Sequence, residues 1–243
     1  MTNLVLILRA IVIKSLLNHL LQHELRWYNE SMLHKKYIIF DFDGTLADSV
    51  PVLFTIIQEM AKEMGYERPI TQADWDWVRD HELKEILGKF NIPLVKVPYL
   101  LLEGRNKMKK QMYSVPPCKG IIEELKELKK MGFELAILSS NSRDLIQEFI
   151  LKNNLVELFD FVHSELNIFG KDTALLSLLK QFHMPLGESI YVGDEMRDID
   201  ACKKIKLDCI SVTWGLNSAE ALKQHGAQWV VAKPQEIIRL LNQ

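Results

Sequence analysis

Tyr37-Ile38-Ile39-Phe40-Asp41-Phe42-Asp43-Gly44-Thr45 is the stretch that decides the fold. A short apolar run ends in two carboxylates and a glycine. Such a run reads as a strand buried on both faces of a parallel sheet. Its acids then stand at the carboxyl end of the strand, where open α/β sheets place their sites. Period-two alternation puts Asp41 and Asp43 on the same side. Neighbouring carboxylates repel each other, and a divalent cation offsets that repulsion. Taken alone, the stretch also fits a strand end with an Asp N-cap or an Asp-Gly turn. The remainder of the chain decides between these readings.

Working outward, Asp48 and Ser49 form an N-cap pair with Pro51 in the first turn, and a helix runs to about Met64, stopped by Gly65. Residues 70–113 read as helical with breaks at Pro93 and Pro98, and Pro116-Pro117 closes them as a stiff hinge. From Gly120 the pattern alternates. Helices are expected over 121–131, 143–152 (Ser142 as N-cap), 171–182, from after 192 to about 205, over 218–225 and from Pro234 onward. Strands are expected over 133–138, 159–162, 189–192, 209–212 and 229–231. This alternation predicts an α/β fold with a doubly wound, Rossmann-like parallel sheet. The domain organisation that follows is an α/β core over 36–49 and 116–243, a small all-α insert over 50–115 after the first strand, and an amino-terminal helical extension over 1–35.

The chain has 243 residues, 48% hydrophobic and 26% charged, with a formal net charge of -2. That composition is ordinary for a soluble globular protein, and no basic excess points to nucleic acid. Cys118, Cys202 and Cys209 form no CxxC pair, which suits buried, reduced thiols in a cytoplasmic protein. Residues 4–21 are strongly apolar but are interrupted by Arg9, Lys14, Asn18 and His19, so a spanning helix is disfavoured. A secretory signal fits poorly as well. The better reading is an accessory helix, docked on the body or lying at a membrane surface, with a translation start at Met32 as the alternative. His19 and His23 have helical spacing, but without an HExxH pattern a solvated face is the better reading.

Three further groups fall at strand or helix ends. These are Ser139-Ser140-Asn141, Lys171 after Gly170, and Gly193-Asp194-Glu195 with Asp198 one turn on. Each alone reads as a cap, a turn residue or a solvated amine. Together with Asp41 to Thr45 they resemble the four motifs of the haloacid dehalogenase superfamily, in its phosphatase branch. The resemblance runs from about Lys36 to the end, and the position of the helical insert matches the family's helical cap. The stretch through Trp214-Gly215 is similar to phosphoglycolate-phosphatase-like members.

The resemblance implies a phosphatase that acts on a small phosphorylated metabolite, with Mg²⁺ as cofactor. It makes Asp41 the nucleophile that becomes an aspartyl phosphate, and Asp43 the acid and base. Ser139 and Lys171 complete the catalytic set. Thr45, Ser139, Ser140 and Lys171 bind phosphate. The metal is held by Asp41, Asp194 and the main-chain carbonyl of Asp43, with Asp198 as an outer or water-mediated partner. The acid at Asp43 also favours phosphate-ester cleavage over halide displacement, because an alkoxide leaving group needs a proton. In the insert, Trp75 and Trp77 read as packing residues. Arg79, Lys84, Lys89 and Arg105 read as a solvated face from which one or two cations reach an anionic leaving group. A phosphomutase of the β-phosphoglucomutase type and a non-catalytic binding module on the same fold are the competing readings. Monomer and homodimer are equally compatible.

Overall fold

β1 (Tyr37–Asp41) is buried along its whole length and lies at the centre of a six-stranded sheet. The computed structural model describes residues 32, 34–66, 68–165 and 170–242. The apolar segment 4–21 and the His19–His23 pair lie outside the described residues. No helix among the described residues is long and apolar enough to cross a membrane.

The remaining strands are β2 (Glu134–Ser139), β3 (Phe161–Ser164), β4 (Ser189–Gly193), β5 (Asp208–Val212) and β6 (Trp229–Val231). Their order is β3-β2-β1-β4-β5-β6, and every pairing is parallel. The direction of winding reverses between β1 and β4, so a crevice opens there at the carboxyl ends of the strands. Register brings Asp41 beside Leu138 on β2, one residue short of Ser139.

Alternation along the strands divides the core in two. On one face Ile38, Phe40, Ile137 and Val192 meet Leu125 and Leu128 of α5 (Ile121–Lys130) and Phe149 of α6 (Arg143–Lys152). On the other, Ile39, Leu138 and Tyr191 meet Leu175 and Leu178 of α7 (Lys171–Gln181) and Cys202 of α8 (Met196–Ile205). Asp41 has the parity of Ile39, so it faces the α7 side. The chain closes with α9 (Ala219–Gln224) and α10 (Gln235–Leu241). The free cysteines Cys118, Cys202 and Cys209 are all buried.

Between β1 and α5 the described residues carry only helices: α1 (Val50–Glu63), α2 (Gln72–Val78), α3 (Leu83–Lys89) and α4 (Val97–Gln111), plus short 3-10 turns. α2 starts on a capping box, in which the Thr71 hydroxyl accepts from Asp74 N and the Asp74 carboxylate accepts from Thr71 N. Trp75 is buried against Phe54, with ring centroids 5.0 Å apart. Lys107 on α4 donates to Glu63 on α1 at 2.8 Å. The chain enters and leaves this segment side by side, because Asp48 N donates to Pro116 O at 2.8 Å and Ala47 bridges to Pro117.

Several local expectations are corrected. The third strand runs over Phe161–Ser164, not 159–162. Asp160 is taken up instead in fastening β2, where its carboxylate accepts from Leu135 N at 2.8 Å. The strand over 133–138 is shifted by one, to Glu134–Ser139. Pro98 lies in the first turn of α4, where its missing N–H leaves no helical bond unmade, so it begins that helix and does not break it. Ser49 and Ser142 occupy N-cap positions without making a side-chain cap. The Ser49 hydroxyl accepts from Gly44 N at 3.1 Å and ties down the turn after β1.

Leu175 lies fully buried between α7 and the sheet. Leu175→Ala should lower stability by about 2–5 kcal/mol in urea unfolding. A loss below about 1 kcal/mol would contradict this packing.

Candidate active site

β1 ends at Asp41, so strand alternation does not carry through to Asp43. The chain turns at once. The Asp41 carboxylate accepts from Phe42 N at 2.8 Å, and Leu46 N and Ala47 N both donate to Phe42 O at 2.9 Å. This turn, and not strand alternation, sets the position of Asp43, in place of the period-two arrangement expected from the sequence.

The carboxylates of Asp41, Asp194 and Asp198 converge, with one oxygen of each within 4.8 Å of the others. All three are buried. Lys171, the first residue of α7, donates to Asp41 Oδ2 at 2.6 Å and also to Asp198 Oδ1. Burial works against the Lys171 charge, but Asp198 and Asp41 outweigh it and hold the amine protonated well above its ordinary value. Burial pushes Asp198 up to about 6 against the pull of Lys171. Asp198 is fixed by the first turn of α8, where its Oδ2 accepts from Glu195 N at 3.0 Å.

Asp194 follows β4 and has no ion-pair partner among the described residues. Its Oδ1 accepts from the Thr45 hydroxyl at 2.8 Å and its Oδ2 from Leu216 N at 2.7 Å. Burial and the charges of Glu195, Asp41 and Asp198 push its carboxyl well above the usual range. A carboxylate that is 1% exposed, held only by neutral donors and facing other acids, is the condition a hard cation relieves. The oxygen donor set therefore fits a divalent metal.

Asp43 is held from the segment that follows β2. Its Oδ2 accepts from Asn141 Nδ2 at 2.6 Å, and its buried Oδ1 has no hydrogen-bond partner among the described residues. Burial, and then the Asp41 charge, push its carboxyl up to about 6. It can therefore carry a proton close to neutrality. Ser139 ends β2, and its Oγ accepts from Asn141 N at 3.0 Å, which leaves the hydroxyl hydrogen available for another acceptor. Asp41, Ser139, Ser140, Lys171, Glu165 and Arg197 line one open pocket.

This geometry coincides with a family match. A model of haloacid dehalogenase-like hydrolases matches residues 38–212. The chain belongs to that family. A phosphoglycolate phosphatase from Synechococcus elongatus is 31% identical over 206 residues, covering 85% of this chain and 97% of its own. A phosphoglycolate phosphatase from Aquifex aeolicus is 25% identical, covering 85% and 97%. Among solved structures, one described as a predicted phosphatase from Clostridium acetobutylicum has the same fold. Its TM-score is 0.72 at 21% identity, with 86% of this chain and 99% of that one covered.

The structure thus brings Asp41, Lys171 and Asp194 together, with Asp43 and Ser139 alongside. Asp198 stands within the acid cluster and bonds Lys171 directly. The Thr45 hydroxyl is turned to Asp194. Ser140 offers its carbonyl to Arg105 of α4. Asn141, expected only as a member of the strand-end group with Ser139, holds Asp43. Arg197, ion-paired to Glu195 at 2.5 Å, gave no signal beyond its place next to Asp198.

Gly44 has φ +72°, and a Cβ there would lie well inside van der Waals contact with the Asp194 carboxylate. Gly65 has φ +81° with open space around it. Both alanine variants should pay about 1–2 kcal/mol of left-handed strain. Gly44→Ala should lose distinctly more in urea unfolding, because Asp194 must also move. Equal losses would contradict the close approach of this turn to the acid.

Proposed function

We propose that this phosphatase releases inorganic phosphate from 2-phosphoglycolate, or a small phosphate monoester of like shape, with Mg²⁺ as cofactor. The observation that carries the reading is the convergence of Asp41, Asp194 and Asp198 on one point, with Lys171 bonded to two of them. The substrate assignment draws on the names of the relatives over nearly their whole length.

In the first step an Asp41 carboxylate oxygen attacks phosphorus. A new O–P bond forms and the ester O–P bond breaks. The leaving alkoxide takes the proton of Asp43, whose Oδ1, without a partner among the described residues, and raised affinity for a proton suit it to the task. In the second step the Asp43 carboxylate takes a proton from water. The resulting hydroxide attacks phosphorus, breaks the bond to Asp41 and leaves free phosphate. Each half is an easier displacement than direct hydrolysis. Lys171 keeps its charge beside the nucleophile throughout. The Ser139 hydroxyl donates to a phosphoryl oxygen, a contribution that is mainly electrostatic.

Asp41, Asp194 and the main-chain carbonyl of Asp43 would hold Mg²⁺, with Asp198 beside them. When bound, the ion supplies positive charge that offsets repulsion between these carboxylates and the phosphoryl oxygens. Residues 50–115 act as a cap that shields the reacting phosphoryl group from bulk solvent and admits the one water that the second step consumes.

With Mg²⁺, the wild-type protein should release phosphate from 2-phosphoglycolate. Asp41→Asn should lower the rate at least about 1,000-fold. Asp43→Asn should lower it roughly 100- to 10,000-fold. Equal rates for the wild type and the Asp41 variant would reject the assignment.

A further inference from the structure

The loop between β5 and α9 touches the acid cluster on one side and the helical segment on the other. Arg79 immediately follows α2. Its Nη2 donates to Gly215 O at 3.1 Å and its Nε to Leu216 O at 2.8 Å. From the opposite side, Leu216 N donates to Asp194 Oδ2 at 2.7 Å and Asn217 N donates to the Asp194 main-chain carbonyl at 3.2 Å.

These four bonds share two peptide groups. The Gly215 carbonyl and the Leu216 N–H belong to one peptide unit. The Leu216 carbonyl and the Asn217 N–H belong to the next. No cis peptide bond is present among the described residues, and in a trans unit the C=O and N–H point in opposite directions. Each unit is therefore clamped end-on between the Arg79 guanidinium and Asp194. The planar fork of arginine suits two successive carbonyls. Its charge also polarises both peptides, which strengthens their N–H groups as donors to Asp194. Asn217 doubles the connection, because its Nδ2 donates to Arg79 O at 2.8 Å and its Oδ1 accepts from Met196 N at 2.8 Å. No room is left for slack, since a Cβ on Gly215 would overlap the Asp194 side chain.

We propose that Arg79 is a positioning residue for the cation site: through the two peptide units of 215–217 it fixes the direction in which Asp194 presents its carboxylate. This rests on the reading that Asp194 holds a divalent cation. It makes the placement of the helical segment and the affinity for the cation parts of one device. A segment that swings away takes Arg79 with it and leaves the Asp194 donors unbacked. By linkage, cation binding in turn favours the seated segment.

The test is Mn²⁺ binding to the full-length protein without substrate, followed by electron paramagnetic resonance. Arg79→Ala should weaken binding about 10- to 100-fold, the range typical for removal of a group that orients a metal ligand. Arg79→Lys, which retains the charge but not the fork, should fall between the alanine variant and the wild type. Lys107→Ala removes an α1–α4 ion pair in the same segment without touching the loop, and should bind like the wild type. Circular dichroism confirms that each variant is folded. Folded Arg79→Ala with wild-type affinity would overturn the proposal, as would an equal loss in Lys107→Ala. Absence of Mn²⁺ binding in the wild type would instead reject the underlying cation reading, and the proposal with it.

Discussion

Three buried carboxylates held within 4.8 Å of one another are the constraint around which the site is arranged. At an effective dielectric of about 20, two unit charges at that separation repel by roughly 3–4 kcal/mol. Lys171 offsets this for Asp41 and Asp198, because it bonds both. Among the described residues Asp194 has no such partner, and only the Thr45 hydroxyl and the Leu216 N–H hold its carboxylate oxygens. The imbalance is the physical case for a cation. It also explains why glycine stands at 44 and 215, where a side chain would displace the acid.

The placement of these groups follows from the sheet. Reversal of strand order between β1 and β4 puts Asp41 and Asp194 at neighbouring strand ends, and β2 delivers Ser139 on the far side of β1. Alternation then turns Asp41 toward the face covered by α7, whose first residue is Lys171. Asp43, just past the strand, is drawn instead to Asn141. Two adjacent acids thus acquire different surroundings. One is ion-paired, and the other is half-buried, with one carboxylate oxygen lacking a partner among the described residues and a raised affinity for its proton.

Much of this was legible in the sequence. The apolar run before Asp41 and the alternation after Gly120 define a parallel sheet, because buried strands and amphipathic helices have distinct periods. The strand-end acids, Ser139 and Lys171 stood out by position. What periodicity could not reveal was the direction of individual side chains. Asp198 joins the acid cluster because the first turn of α8 aims it there. Ser49 braces Gly44 and caps no helix. Arg79 and Arg105 read as solvated cations or substrate contacts, yet both donate to main-chain carbonyls of loops around the site. Long side chains can reach many partners from one backbone position, so spacing alone does not select among them.

The central claim is that these acids share one cation. Anomalous diffraction from crystals of the protein grown with Mn²⁺ tests it most directly. A single strong peak bounded by the carboxylates of Asp41 and Asp194, with Asp198 adjacent, is expected. A peak bound elsewhere, or none between these acids at saturating Mn²⁺, would contradict it.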